Sequence, residues 1–305
     1  MNRYFLKRIV HSVFILVGVS LVTFLLVHMT GDPVTLFLPL DAGPEDIEAV
    51  RVALGFDRPI YQQYLGFLRG AVRGDFGTSM RHREEAMGLV LDRLPATMQL
   101  TFAAMAVAVA VAVPLGVIAA THRDSLASLV ASVLGLLGQS MPVFWLGIMM
   151  ILLLSVNLGW FPASGRGGFI HLVMPAVAIG TYSMAAVMRM MRSTMIEVLG
   201  LDFIRTARAK GVSERAVVYK HGLRNALIPV VTVTGLRFGT LLGGAVITET
   251  VFAWPGLGRF LIQGLNNRDM PVVQASVFVM ALMIVAVNLL TDLVYSYLDP
   301  TVRFS

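Results

Sequence analysis

The sequence predicts an all-α membrane protein with six transmembrane helices, and three observations predict it. Its 305 residues are 56% hydrophobic and only 14% charged, where soluble domains run near a quarter charged. The mean hydropathy is +0.76. The apolar residues fall into runs long enough to cross a hydrocarbon core of about 30 Å. The charges gather between those runs, mostly as arginine, since the only lysines are Lys7, Lys210 and Lys220. Basic charge raises the question of nucleic acid, but charges that flank apolar spans are better explained by orientation in the membrane. No nucleic-acid partner is expected. Cysteine is absent, which excludes disulfides, thiolate metal sites and cysteine catalysis. Histidines 11, 28, 82, 122, 171 and 221 are scattered, with no i,i+4 pair to chelate a metal.

Residues 1–8, with Arg3, Lys7 and Arg8, form a short basic N-terminus expected in the cytoplasm. The apolar run 9–29 exceeds a signal-peptide core and reads as the first transmembrane helix. Residues 30–96 are polar, with ten acids and seven arginines. Pro44, Glu45, Asp46 and Gly55 mark one helix there. Pro59 opens a second, with Tyr61, Tyr64, Leu65, Leu68 and Val72 as its apolar stripe. Loops this long without function are uncommon, so the segment reads as a small extracytoplasmic cap over the pore mouth. Residues 97–305 form a core with five further spans. These are 97–120, 126–156 (kinked or broken near Pro142), 172–188, 226–250 and 271–297. His122, Arg123 and Asp124 make a short inner turn. Outer loops are expected over 157–171, with Trp160, Phe161 and Pro162, and over 254–270. Six spans put both termini on the same, cytoplasmic side.

Between the fourth and fifth spans lies a basic hairpin, residues 193–225. From Arg189 to Asn225 the chain carries Arg189, Arg192, Arg205, Arg208, Lys210, Arg215, Lys220 and Arg224 against Glu197, Asp202 and Glu214, which places the segment in the cytoplasm. Asp202 is expected to N-cap a helix starting at Phe203 and Gly211 to stop it. Ser213 is expected to cap a second helix with Glu214 in its first turn. Phe203, Ile204 and Ala207 share one face of the first helix, while Arg205 and Arg208 lie a turn apart on another. A short helical knob of this kind suits docking onto another protein; charge alone fits a solvated inner loop equally well.

The hairpin carries a resemblance. Arg205-Thr206-Ala207-Arg208-Ala209-Lys210-Gly211, continued to Leu223, resembles the loop of ABC-transporter permeases that reads Glu-Ala-Ala, three residues, Gly, nine residues, Ile, one residue, Leu-Pro. Arg205 stands at the Glu position, His221 at the Ile and Arg224 at the Pro. These departures point to the dipeptide/oligopeptide/nickel permease family, and Gly31-Asp32-Pro33, Gly74-Asp75-Phe76-Gly77, residues 241–255 and Asp299-Pro300 extend the resemblance over nearly the whole chain. The chain is identified as resembling the peptide importers of this family, dipeptide- or glutathione-type in length. The resemblance implies a type I ABC importer permease fold in the bacterial inner membrane. It makes Phe203, Ile204, Arg205, Thr206, Ala207, Arg208, Ala209, Lys210 and Gly211 the element that couples to an ATPase. It also implies a second homologous permease, two ATP-binding subunits, an extracytoplasmic substrate-binding protein and a short peptide substrate, with nickel or another small solute as the alternative.

No lysine sits in a Gly-x-x-x-x-Gly-Lys-Ser/Thr setting, so ATP and Mg are expected in partner subunits and no cofactor on this chain. Gly235, Gly239 and Gly243 recur every four residues down the fifth span, a pattern that lets another helix approach closely. Arg237 lies about 200° round from Gly235 and about 16 Å along its span, near the midplane. A lipid-facing arginine there is costly. It is a translocation-pathway candidate that either meets a substrate carboxylate or pairs with an acid of a partner permease. Glu249 and Asp292, at membrane ends, read as interfacial. No catalytic constellation converges. An ATP-independent channel or secondary transporter is the rival class.

Overall fold

The computed structural model describes residues 2–29, isolated positions between 43 and 52, 57–122 and 125–298. The Gly31-Asp32-Pro33 and Asp299-Pro300 motifs, most of the helix expected over 44–55, Arg123, Asp124 and Arg303 lie outside the described residues. Within them, regular structure is helical apart from one bridge between Thr78 and Glu85.

Helix α1 (Asn2–Met29) leaves Val10, Phe14, Val22 and Leu26 more than half exposed, as a helix facing lipid should. Helix α2 (Ile60–Val72) begins after Pro59 as expected, but its inward face is rotated from the anticipated stripe. Tyr64, Phe67 and Ala71 turn inward, and Tyr61, Leu65 and Val72 are exposed. Contact with α1 decides the rotation. The Tyr64 hydroxyl lies 2.9 Å from Ser20 Oγ and His28 Nε2 lies 3.0 Å from Gln63 Oε1, while Phe24 stacks near Tyr64 and Phe67.

Helix α3 (Ala86–Thr121) starts eleven residues before the expected second span. Asp92 and Arg93 interrupt the apolar run without interrupting the helix, and Pro95 sits inside it. Its 36 residues make about 54 Å, longer than the hydrocarbon core. The third span is broken. Helix α4 (Leu126–Ser140) is capped by Ser125, whose side chain accepts from the Ser128 amide, and it ends in extended Met141. Helix α5 (Val143–Met150) restarts after Pro142 and passes into a π-helical stretch, Ile151–Asn157. Pro142 causes the break, since the residue before a proline avoids helical geometry. Helix α6 (Phe169–Leu199) runs a further eleven residues beyond the expected fourth span, into the basic segment.

After the hairpin come α7 (Asp202–Ala209), a single turn Glu214–Ala216, a π-helical stretch Val217–Gly222, and α8 (Leu223–Val251). The expected outer loop 254–270 contains α9 (Leu257–Asn266); Leu257, Phe260 and Gly264 are buried at helical spacing, a pattern too short to stand out in sequence. Helix α10 (Met270–Leu298) closes the fold. Among the described residues, five helices are long and apolar enough to cross a membrane, and with the broken α4–α5 pair they account for six spans.

The chain forms two compact units, residues 1–96 with 256–285, and 97–255 with 286–305. In the first, Ala71, Phe76, Ala86 and Val90 pack with Leu257, Phe260, Val272, Ala275 and Val279. The Gly74-Asp75-Phe76-Gly77 motif builds its edge. Gly74 and Gly77 take positive φ (78° and 84°), and Asp75 Oδ1 accepts from the Gly77 amide. In the second, Ala112, Ala119, Met191, Met195, Ala226 and Val230 share one core. Small residues bring backbones together there. A Cβ on Gly180 would lie 2.7 Å from the Ala104 carbonyl oxygen, and one on Gly116 would lie 2.7 Å from Met191 Cβ.

Gly180→Ala is therefore expected to destabilise by about 1–3 kcal/mol through overpacking. Gly244→Ala, where the space is open, is not. Thermal unfolding of the two variants in detergent checks the contrast.

Candidate coupling hairpin and membrane arginine

Helix α7 begins one residue earlier than expected. Leu201 is its N-cap, with extended backbone (ψ 154°), and Asp202 occupies the first turn, where its charge suits the positive helix end. Asp202 also lies 3.3 Å from Arg205, but both are largely exposed, so that pair contributes little. Ser213 stands at the expected cap position of the next turn, without a side-chain cap hydrogen bond.

The C-terminal end is closed by backbone alone. Gly211 has φ 78°, its amide donates to the Arg208 carbonyl (2.9 Å) and the Val212 amide to the Ala207 carbonyl (3.2 Å). This is the paired 5→2 and 6→1 pattern of a Schellman turn, with Val212 packing back on the helix. Ile204 is fully buried and Ala207 is 8% exposed, against Val217, Leu199 and Val212. Phe203, expected on the same face, is 41% exposed. Arg205, Thr206, Ala209, Lys210 and Gly211 are exposed as well. The helix therefore has an inward edge of Ile204 and Ala207 and an outward face centred on Asp202, Thr206 and Ala209.

Arg208 braces the hairpin. Its Nε and Nη2 donate to Glu214 Oε2 (3.1 Å) and Oε1 (2.6 Å), a bidentate fork. The fork holds the Glu214 carboxyl below, and the Arg208 guanidinium above, their ordinary ranges. Glu214 thus contributes to hairpin stability above its ordinary value of 4.5, and that contribution is lost as pH falls through the lowered value. Both side chains are substantially exposed (43% and 62%), so the effect is small.

In the second unit, a Cβ on Gly235 would meet Thr291 Cγ2 at 2.6 Å, and one on Gly239 would meet Asn288 Oδ1 at 3.2 Å. Gly243 has open space around it. A mostly apolar cavity of about 350 Å³ opens beside Gly235, walled by Phe102, Thr234, Phe238 and Thr291; Arg237 is not among its walls. Arg237 is half-buried on α8, and among the described residues no carboxylate pairs with it. Glu249, expected at an interface, is fully buried and accepts from Thr97 Oγ1 at 2.6 Å. Its position at a helix end concealed that burial, because the partner threonine lies 152 residues away in the chain. Asp292 is half-buried.

The family model for the binding-protein-dependent transport system inner membrane component matches residues 112–304, and that for the N-terminal part of such membrane components matches 1–101. The chain belongs to this family. As a permease subunit of such a system it is a multi-pass inner-membrane protein, not itself an enzyme. The permease is 43% identical over 336 aligned positions to the dipeptide transport system permease protein DppB of Escherichia coli K12, covering 99% of each chain. It is 41% identical over 305 positions to the Escherichia coli glutathione transport system permease protein GsiC, covering all of both. DppB of Alkalihalophilus pseudofirmus is 38% identical over the full length of both chains. Among solved structures, the inward-facing MetNI methionine ABC transporter aligns with TM-score 0.60 and 21% identity over 70% of this chain and 97% of that one. An amino acid ABC transporter aligns with TM-score 0.52 and 19% identity over 69% and 94%. At these identities the two structures speak to fold alone, that of type I importer permeases.

After correction for intrinsic rates, amide-exchange protection of Asp202–Ala209 is expected to hold above the ordinary glutamate value of 4.5 and to fall only below it, as Glu214 protonates at its lowered value. In Glu214→Gln it is expected to be reduced already at neutral pH.

Proposed function

We propose that this permease forms half of the translocation pathway of an ATP-driven importer for short peptides, dipeptide, oligopeptide or glutathione-like. The substrate class is supported by the full-length similarity to DppB and GsiC. The observation that carries the coupling role is α7 itself, pinned on one edge by Ile204 and Ala207 with its other face free. Residues 203–211 are the docking element for one of two separate ATP-binding subunits, which bring ATP and Mg. A second homologous permease completes the pathway, and an extracytoplasmic binding protein delivers the peptide. The N-terminus (1–8), the hairpin (193–225) and the C-terminus lie in the cytoplasm; α1 (with 9–29 apolar) crosses, residues 30–96 lie outside, and 97–305 form the five-span core. The arginine-rich hairpin supports that orientation.

Because Ala207 faces the hairpin's own core, a probe of docking belongs at Ala209, which faces out. Ala209→Trp is expected to leave the complex's substrate-independent fold intact and to lower transport-coupled ATP hydrolysis at least about ten-fold, the effect of losing roughly 1.4 kcal/mol of docking energy. Unaltered coupling would remove α7 from the interface.

Arg237, without a carboxylate partner among the described residues, meets either a substrate carboxylate or an acid of the partner permease. A charge-assisted hydrogen bond is worth about 1.5–3 kcal/mol, so a substrate contact predicts that Arg237→Gln cuts uptake roughly ten- to a hundred-fold with the complex still assembled. A structural pair predicts instead that the permease pair dissociates in mild detergent. Normal uptake and normal assembly would reject both roles.

A further inference from the structure

Helix α6 exposes a polar stripe. Tyr182, Ala186, Arg189, Ser193 and Glu197 recur at three- or four-residue spacing and so share one face. Ala186 is half-buried and the other four are exposed, while Ala185, Val187, Met188 and Met191 are buried. Arg189 Nη1 donates to Gln139 Oε1 at 2.6 Å. Gln139 and its neighbour Ser140 are also exposed, at the end of α4.

The register of α4 against α6 fixes the direction in which Arg189 reaches. A Cβ on Gly138 would lie 3.2 Å from the Thr181 carbonyl oxygen, and one on Gly135 would lie 4.0 Å from Ala185 Cα. Gln139 therefore stands near the level of Thr181, eight residues before Arg189 and about 12 Å from it along α6. The Cα–Cβ bonds of a helix tilt toward its N-terminus. The hydrogen bond carries the guanidinium further that way, to about the level of Ala185 and Gly135. Gly135 is nine residues past Leu126, the start of α4, about 14 Å along it. That is close to half of a hydrocarbon core of about 30 Å. Under the orientation proposed above, the side chain turns away from the cytoplasm. An arginine beside lipid does the opposite and snorkels to the nearer interface. Water on this face removes the conflict, since charges within the membrane face aqueous cavities or pair with a partner.

The pair is suited to an anion. Arginine only donates, so Gln139 must turn its carbonyl oxygen to Arg189, which leaves the Gln139 amide nitrogen as a free-facing donor. The guanidinium keeps most of its own N–H groups, and among the described residues no carboxylate pairs with it. We propose that Arg189 and Gln139 form a station on the translocation pathway that takes the terminal carboxylate of a short peptide. The inference rests on the importer reading. Charge selects the ligand: a guanidinium beside an amide N–H matches the two oxygens of a carboxylate. Arg237 stands on another helix, α8, so the two arginines are separate candidates.

The chain has no cysteine, so Ala186→Cys supplies its only thiol, one turn from Arg189. The complete complex in lipid nanodiscs is treated with impermeant thiosulfonates, one anionic and one cationic, and labelling of the tagged chain is read. The thiol is expected to react, and to favour the anionic reagent about ten-fold more with Arg189 present than in an Arg189→Gln background. Dialanine or S-methylglutathione, whichever the wild type imports, is expected to slow the anionic reaction; its C-terminal amide is not. In proteoliposomes with binding protein and ATP, Arg189→Gln is expected to import that peptide about ten-fold more slowly, with Arg189→Lys intermediate. A thiol that never reacts takes the face out of the pathway and overturns the proposal. Labelling that ignores Arg189 and the peptide overturns it, as does wild-type uptake by Arg189→Gln. Dissociation of the permease pair in Arg189→Gln assigns the face to an acid of the partner permease and overturns it too. In each case ATP-driven uptake by the wild type leaves the importer reading standing. A wild-type complex that imports neither peptide overturns that reading and the proposal with it.

Discussion

Burial of Ile204 is what makes the basic hairpin a structure. A stretch this basic at a membrane surface can remain a solvated loop, and an eight-residue helix is marginal by itself. Ile204 is entirely removed from solvent, with Ala207, Val217, Leu199 and Val212 around it. Burying one such side chain contributes about 1.5–3 kcal/mol, comparable with the cost of starting a helix. The Schellman turn at Gly211 and the Arg208–Glu214 fork then hold the shape that this packing selects. A rigid outward face of Asp202, Thr206 and Ala209 follows from an inward edge of only two residues.

The hairpin is continuous with the spans on both sides. Helix α6 reaches Leu199 without interruption, and the helical run from Glu214 to Val251 carries the chain back through the membrane. Their ends next to the hairpin are joined by a shared core of Met191, Met195, Val218, Ala226 and Val230, and Thr194 Oγ1 donates to the Ala226 carbonyl at 3.2 Å. Interiors packed this closely transmit displacement. On this account, movement of α7 reaches α8, where Gly235 and Gly239 meet Thr291 and Asn288 and where Arg237 lies. If α7 is the docking element, as proposed, docking would thus bias α8 and the helix it packs against.

Much of this was legible in the sequence, for identifiable reasons. Long apolar runs, proline at 59 and 142, and glycine at 211 act locally, so α1, α2, the break in the third span and the end of α7 could be placed from neighbouring residues alone. What escaped depends on partners distant in the chain. The inward face of α2 is set by Ser20 and Phe24, and Glu249 is buried because Thr97 meets it. Helix α9 packs through Leu257 and Phe260 on Ala71 and Val90. Hydropathy also marks where a span leaves lipid rather than where its helix ends. That is why α3 and α6 run past their apolar segments. Of the three spaced glycines, two meet a neighbouring helix and Gly243 does not, a difference no spacing rule contains.

The most direct measurement is purification of the tagged chain from its own membrane in mild detergent, with identification and ATPase assay of the proteins that accompany it. The account predicts nucleotide-binding subunits that hydrolyse ATP and are lost when Ile204→Asp disrupts α7, while the partner permease remains. A solitary chain that moves solute in liposomes without ATP would contradict it.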